Sequence, residues 1–255
     1  MKTRNTRIGL ALAAGLLTVG AMPQAFAAGT TAGTTVSNTA SVAYSVGGTA
    51  QTAVSSNAST FKVDRVVNVT VAQSGGATTV APGSSAQVIA FTVTNNSNSV
   101  QDFKLDAANL VGDNFDGTIT GVYVESGATT NYQSAQDTAT FIDELAADTT
   151  ITVYVVANMP NGIVTGNTAN VSLQATAYQT TDGTGAYVAT AGTLAPAASA
   201  QTNVGSADNT TFTDTVFGDA AGTYSGDVAK DGKHSATNSY TVNTAALTVA
   251  KSSTV

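Results

Sequence analysis

The chain has 255 residues with no cysteine, no tryptophan and a single histidine, and only 10% of its residues are charged. Sixteen acidic residues against nine basic ones give a formal charge of −7, which disfavours nucleic acid and anionic lipid as partners. Without cysteine or a second histidine, neither a disulfide, an ordinary zinc site nor a Cys/His nucleophile can be assembled.

Lys2, Arg4 and Arg7 precede an apolar run from Ile8 to Met22 and the small-x-small site Ala25-Phe26-Ala27. This order marks residues 1–27 as a secretory signal peptide, with cleavage expected after Ala27. The run is shorter than the ~20 residues of a permanent span. Three cations leave with the signal, so six basic residues face sixteen acidic ones and the formal charge falls to −10. A secreted, extracellular or cell-surface protein is expected, with no membrane insertion of the mature chain.

From Val36 the even positions read Val36, Ala40, Val42, Tyr44 and Val46, an alternation that predicts a strand with one apolar face. Gly47-Gly48 punctuates it. Phe61, Val63, Val67, Val69 and Val71 predict a second strand, and "APGSS" at 81–85 a turn. Ile89, Phe91 and Val93 alternate next and run into the polar cluster "NNSNS" at 95–99. Phe103 and Leu105, then Val122 and Val124, then Ile151, Val153 and Val155 continue the series, and Val171, Leu173 and Ala175 close it after the turn "MPNG". Between them "FIDELAAD" at 141–148 admits a brief helical turn. Short strands with Gly, Pro and Asn punctuation predict an all-β chain: an Ig-like Greek-key β-sandwich with extended terminal strands and a loop-rich insertion. The expected divisions are a strand segment at 28–61, the sandwich at 62–178, a Gly/Thr/Asp-rich insertion or hairpin at 179–243 and a C-terminal strand at 244–255. Phe212, Val216, Phe217, Tyr224 and Tyr240 argue that the insertion packs on the sandwich.

Two self-similarities cut across this order. "NTASVAY" at 38–44 returns as "NTANVSL" at 167–173, the end of the sandwich series, and "VTVAQSGGATTV" at 69–80 returns as "LTVAKSSTV" at 247–255. The chain thus reads as the end of one module, a whole module, an insertion and the start of a third. The run "KVDRVVNVTVA…APGSSAQVIAFTVTNNSNSVQDFKL" resembles the conserved repeat domain of unknown function found in tandem on many bacterial surface proteins. The likeness rests on the "TVTN" strand end, Phe91 to Asn95, and the following turn, Asn96 to Ser99. It implies Ig-like modules, surface display or assembly, and no defined catalysis.

A strand without a neighbour exposes an unpaired backbone edge and an apolar face. The terminal strands at 34–46 and 245–255 either edge the chain's own sheets or complete the sheet of a second copy in a heterologous, head-to-tail contact. The expected carriers are the inward-facing Val36, Ala40, Val42 and Tyr44 with Leu247 and Val249. The function expected is that of a structural subunit of a filament, surface layer or biofilm matrix, and no enzyme activity is expected. The alternative is a monomeric adhesin or calcium-dependent ligand-binding module, with carbohydrate or a host ligand as partner. Asp208, Asp214, Asp219, Asp227 and Asp231 are the candidate calcium ligands, because hard cations favour clustered oxygen donors. Tyr224 and Tyr240 are the candidate glycan platform. His234 reads as a solvated loop residue. Lys62 and Lys104 are candidates for an isopeptide bond to Asn167 or Asn170, aided by Glu125 or Glu144.

Overall fold

The computed structural model describes residues 29–178, 214–244 and 251. Every regular element among them is a β-strand. The first six strands are short: β1 (Thr35–Asn38), β2 (Ser41–Val42), β3 (Ser45–Val46), β4 (Thr49–Ala50), β5 (Val54–Ser55) and β6 (Ser59–Lys62). They are followed by β7 (Arg65–Val67), β8 (Val69–Ser74), β9 (Thr78–Val80), β10 (Gln87–Asn95), β11 (Gln101–Asn109) and β12 (Thr118–Val124). The series ends with β13 (Phe141–Leu145), β14 (Thr149–Asn158), β15 (Thr168–Tyr178), β16 (Thr215–Phe217) and β17 (Lys233–Val242).

Two sheets make a sandwich. One has the order β12-β14-β10-β8, and the other β13-β11-β15-β17-β9. Taking β8, β10, β11, β12, β14, β15 and β17 as strands A to G gives A-B-E-D facing C-F-G, the Ig-like arrangement. β13 is an additional edge strand beside C, and β9 lies parallel to G. The core is the inward half of each alternation. Ile89, Phe91 and Val93 on β10 meet Val153 and Val155 on β14, and Phe103, Val171, Leu173 and Tyr240 come from the opposite sheet. All are at most 1% exposed, which explains how the fold holds without disulfides.

Three expectations change here. The sandwich does not close at residue 178: Lys233–Val242, expected within the insertion, is strand G, paired with β15 from Thr176↔Lys233 to Thr168↔Thr241. The long connection lies between F and G. Second, 141–148 holds no helical turn. Ile142 and Leu145 are three residues apart and both buried, a spacing that suits a helix, but a register shift opposite Gln101 and Phe103 supplies it in a strand. Glu144 sits at the irregularity with φ +49, its N–H donating to the Asp102 carboxylate at 2.8 Å. Third, the run from Phe61 to Val71 is three strands rather than one. Arg65, Val67, Val69 and Val71 all point inward, but the partner changes at Asn68 from β16, which is parallel, to β10.

The "TVTN" strand end has a physical explanation. Asn95 is fully buried; its amide donates to the carbonyls of Leu145 at 2.8 Å and Ser99 at 3.0 Å, while its oxygen accepts the Ser97 N–H. One side chain thereby closes the turn after strand B and pins the loop before strand E. Buried polar groups are tolerated when satisfied in this way.

Candidate functional site

Residues 35–62 form a two-stranded arm. β1 pairs with β6, β2 with β5 and β3 with β4, from Thr35↔Lys62 to Val46↔Thr49. Gly47 and Gly48 close it with φ +58 and +84, the signs that a two-residue type I′ turn requires at both central positions. NTASVAY is therefore one limb of a hairpin, and its partner is the chain that follows it.

Within the single chain these residues lie outside the sandwich core. Ala40 is exposed, Val42 is 62% exposed, Tyr44 49%, and Val36 is half-buried against the hairpin itself. On the other limb Val54, directly across from Val42, is 60% exposed, and Phe61, across from Val36, is 42% exposed. The strands of the arm pack chiefly on one another and not on the sandwich. The alternation that elsewhere signals burial here leaves an apolar face in water. From Gly29 to Phe61 there is no charged residue, although the whole chain is acidic. Leu247 and Val249 lie outside the described residues.

The root of the arm is clamped by the Asn/Ser turn. Asn98 donates to the carbonyls of Thr30 at 3.1 Å and Asp64 at 2.9 Å, and its side-chain oxygen accepts the Val66 N–H at 2.8 Å. Ala32 donates its N–H to the Asn98 carbonyl, and Ser97 accepts the N–H of Asn68. Asn96 reaches Thr70 at 2.9 Å. A turn that reads as loop chemistry is thus the joint between arm and sandwich. At the opposite pole, Val242 lies beside Val80, and the Thr244 N–H donates to Thr165.

The aspartates of the F–G region serve the backbone. Asp219 accepts the N–H groups of Asp231 and Gly232 at 3.0 Å each. Asp227 accepts from Gly222 at 3.0 Å and from the Ser235 hydroxyl at 2.5 Å. Asp231 accepts from Val228 and Lys233, with the Lys233 ammonium 3.8 Å away. Asp214 is buried, its carbonyl accepting the Arg65 N–H where β16 meets β7. Asp208 lies outside the described residues. Among the described residues no three His, Cys, Asp or Glu side chains gather as a cation would need. Asp219, Asp227 and Asp231 do not merely solvate a loop; they hold it folded before strand G.

Other candidates also move. His234 is not a solvated loop residue: it lies on β17, and its Nδ1 accepts the N–H of Val71 on strand A at 3.0 Å. Tyr240 is fully buried, its hydroxyl donating toward the carbonyls of Gln87 and Val155, and burial pushes its phenol far above the ordinary value. It offers no platform. Tyr224 donates its backbone N–H to Ser235. Lys104 pairs with Asp106 at 2.9 Å and stands opposite Thr176, six residues along β15 from Asn170, a separation of ~20 Å at strand rise. Asn170 and Lys104 are not brought together.

One cluster was not legible in the sequence. Tyr123 and Tyr154 are cross-strand partners on the outer face of the A-B-E-D sheet, and Tyr132, from the loop between β12 and β13, stacks on Tyr123 with ring centroids 5.3 Å apart. Its centroid is 5.9 Å from that of Tyr154. The Tyr154 hydroxyl donates to the Glu125 carboxylate and accepts the Asn131 N–H. Burial, and then the bond to Glu125, push the Tyr154 phenol up to about 12. Asp137, also buried, accepts the N–H groups of Ser126 and Gln133, so the loop is fixed at both ends. Tyrosines nine and 22 residues apart carry no periodic signal; only the loop's return across the sheet joins them.

No protein-family model matches this chain, and no curated protein matches it.

Proposed function

We propose that the chain is an exported structural subunit that joins copies of itself through the arm at 35–62, in a filament, surface layer or biofilm matrix. The observation that carries this reading is a hairpin without charge from Thr35 to Phe61, with Val42, Tyr44, Val46, Val54 and Phe61 exposed together. An isolated two-stranded hairpin is marginal in water, and natural sheet edges are usually defended by charge or proline. This one carries neither from Thr35 to Phe61, with Lys62 at its root as its one charge, so a second copy is its occupant, pairing with a free edge and covering the apolar face. Net negative charge elsewhere repels copies and confines contact to the neutral arm.

The arm acts as a hairpin and not as a single donated strand, since β1 to β3 already have partners on one side. Arm and residue 244 lie at opposite poles, which favours a heterologous contact that repeats rather than closes. The surface-repeat resemblance fits the same reading, and catalysis has no part in it.

The test is negative-stain electron microscopy with sedimentation of the exported chain, beside Val42→Lys/Val54→Lys and a variant with residues 39–58 replaced by Asn-Gly. The unaltered protein is expected to form filaments or large oligomers. Both variants should be monomers with the melting temperature of the sandwich unchanged. A monomeric parent, or variants that assemble as well as the parent, would overturn the reading.

A further inference from the structure

The Tyr132–Tyr154 wall faces a groove of about 360 Å³ on the outer side of the A-B-E-D sheet. Ser74, Gly75, Gly76 and Thr78 line the side away from the tyrosines, with Val88 and Ala90 also in the lining. Asn131 contributes from the loop that carries Tyr132, held at φ +85 with its N–H on the Tyr154 hydroxyl. This groove shares no residue with the arm or with the turn that clamps it.

We propose that this groove binds one or two units of a neutral polysaccharide. Its lining contains aromatic rings, hydroxyls, an amide and a glycine pair, and no charged side chain. That chemistry excludes selection for an anion or a cation and suits a polyol. The C–H face of a pyranose packs on tyrosine, and its hydroxyls exchange hydrogen bonds with uncharged polar groups. Gly75 and Gly76 remove side chains from the opposite rim; a Cβ at either position would meet nothing within 4 Å, so the rim is open. The volume lies near the lower end of small-ligand pockets, roughly 300–1,000 Å³, as a site for a short stretch of sugar should.

Two further observations support a built site. The loop from 125 to 140 exceeds the ordinary length of a connection and is nevertheless fastened by Asp137 and by the Tyr154 hydroxyl. Such a loop spends its hydrogen bonds on holding Tyr132 in place. Next to it, Glu125 has one carboxylate oxygen on the Tyr154 hydroxyl and the other buried without a hydrogen-bond partner. From behind the groove, that carboxylate fixes the Tyr154 ring in the wall.

The absence of tryptophan gives a clean readout, because protein fluorescence comes from tyrosine alone. Full-length exported protein would be titrated with cellohexaose, maltohexaose and chitohexaose, with an oligogalacturonate as the anionic control, by tyrosine fluorescence and calorimetry. At least one neutral hexamer is expected to bind saturably, with Kd below about 10 mM, and the anionic oligomer is not. Tyr132→Ala should weaken binding at least tenfold, Tyr132→Phe should keep it within about threefold, and Tyr224→Ala should leave it unchanged. Melting curves show whether each variant is folded. No saturable neutral ligand, equal binding by a folded Tyr132→Ala variant, or preference for the anionic oligomer would overturn the proposal.

Discussion

The arm and strand B are written in nearly the same alphabet. Residues 35–46 alternate Val, Ala and Tyr with Thr, Ser and Asn, and Gln87–Asn95 alternates Ile, Phe and Val with Ala and Thr. One is solvent-exposed along most of its length and the other contributes side chains at most 1% exposed. Alternation therefore specifies a two-faced strand but not what covers the apolar face. Bulk and number of partners decide that. β10 has a strand on each side and a sheet opposite, whereas among the described strands each limb of the arm has one partner and no sheet opposite.

Substitutions at matched positions sharpen this contrast. Phe91→Ala should cost about 3–5 kcal/mol in chemical denaturation, because a fully buried ring leaves a cavity between two sheets. Asn95→Ala should cost ~3 kcal/mol, since two carbonyls and an N–H lose their partner in the interior. Above pH 10 the sandwich should weaken. Tyr154 and Tyr240 are held neutral in the fold, their phenols raised by burial, so the unfolded chain ionises first. The stability they carry is intact below the ordinary tyrosine value and disappears as pH climbs toward about 12. Ultraviolet titration should show these two phenols ionising only together with unfolding. The smallest effect belongs to Val42→Ala, expected within about 0.5 kcal/mol of the parent in monomer stability, because the side chain is 62% exposed. A loss of several kcal/mol there would mean that the arm is packed on the sandwich after all.

Much of the sandwich was legible because its core strands obey a period of two with Ile, Phe and Leu at the inward positions, as at Ile89-Phe91-Val93 and Val171-Leu173-Ala175. Strand G was not, because "KHSATNSYTV" turns His234, Ala236, Asn238, Tyr240 and Val242 to the sandwich while Ser235 is buried on the other face under the F–G loop, and an inward face so mixed hides the alternation. Asn238 is accepted there by donating to the Ala90 carbonyl at 2.9 Å and accepting from Gln73 at 3.1 Å. The arm was legible as strand and turn, through Val36 to Val46 and Gly47-Gly48, but the partner of its first limb was sought in the chain's larger sheets or in a second copy instead of in residues 49–62. The aspartates were recognisable as a cluster, yet their hydrogen bonds to Gly222, Asp231 and Gly232 depend on loop closures that no linear spacing encodes.

The parallel pairing of β9 with β17 has a mechanical consequence. The chain enters the sandwich from the arm at one pole and leaves β17 at the other, so tension between the arm and residue 244 draws these neighbouring strands in opposite directions along their length. Their ladder is then loaded in shear, with its hydrogen bonds sharing the force instead of opening one after another. A string of such subunits would resist stretching best along the direction in which the arms join them.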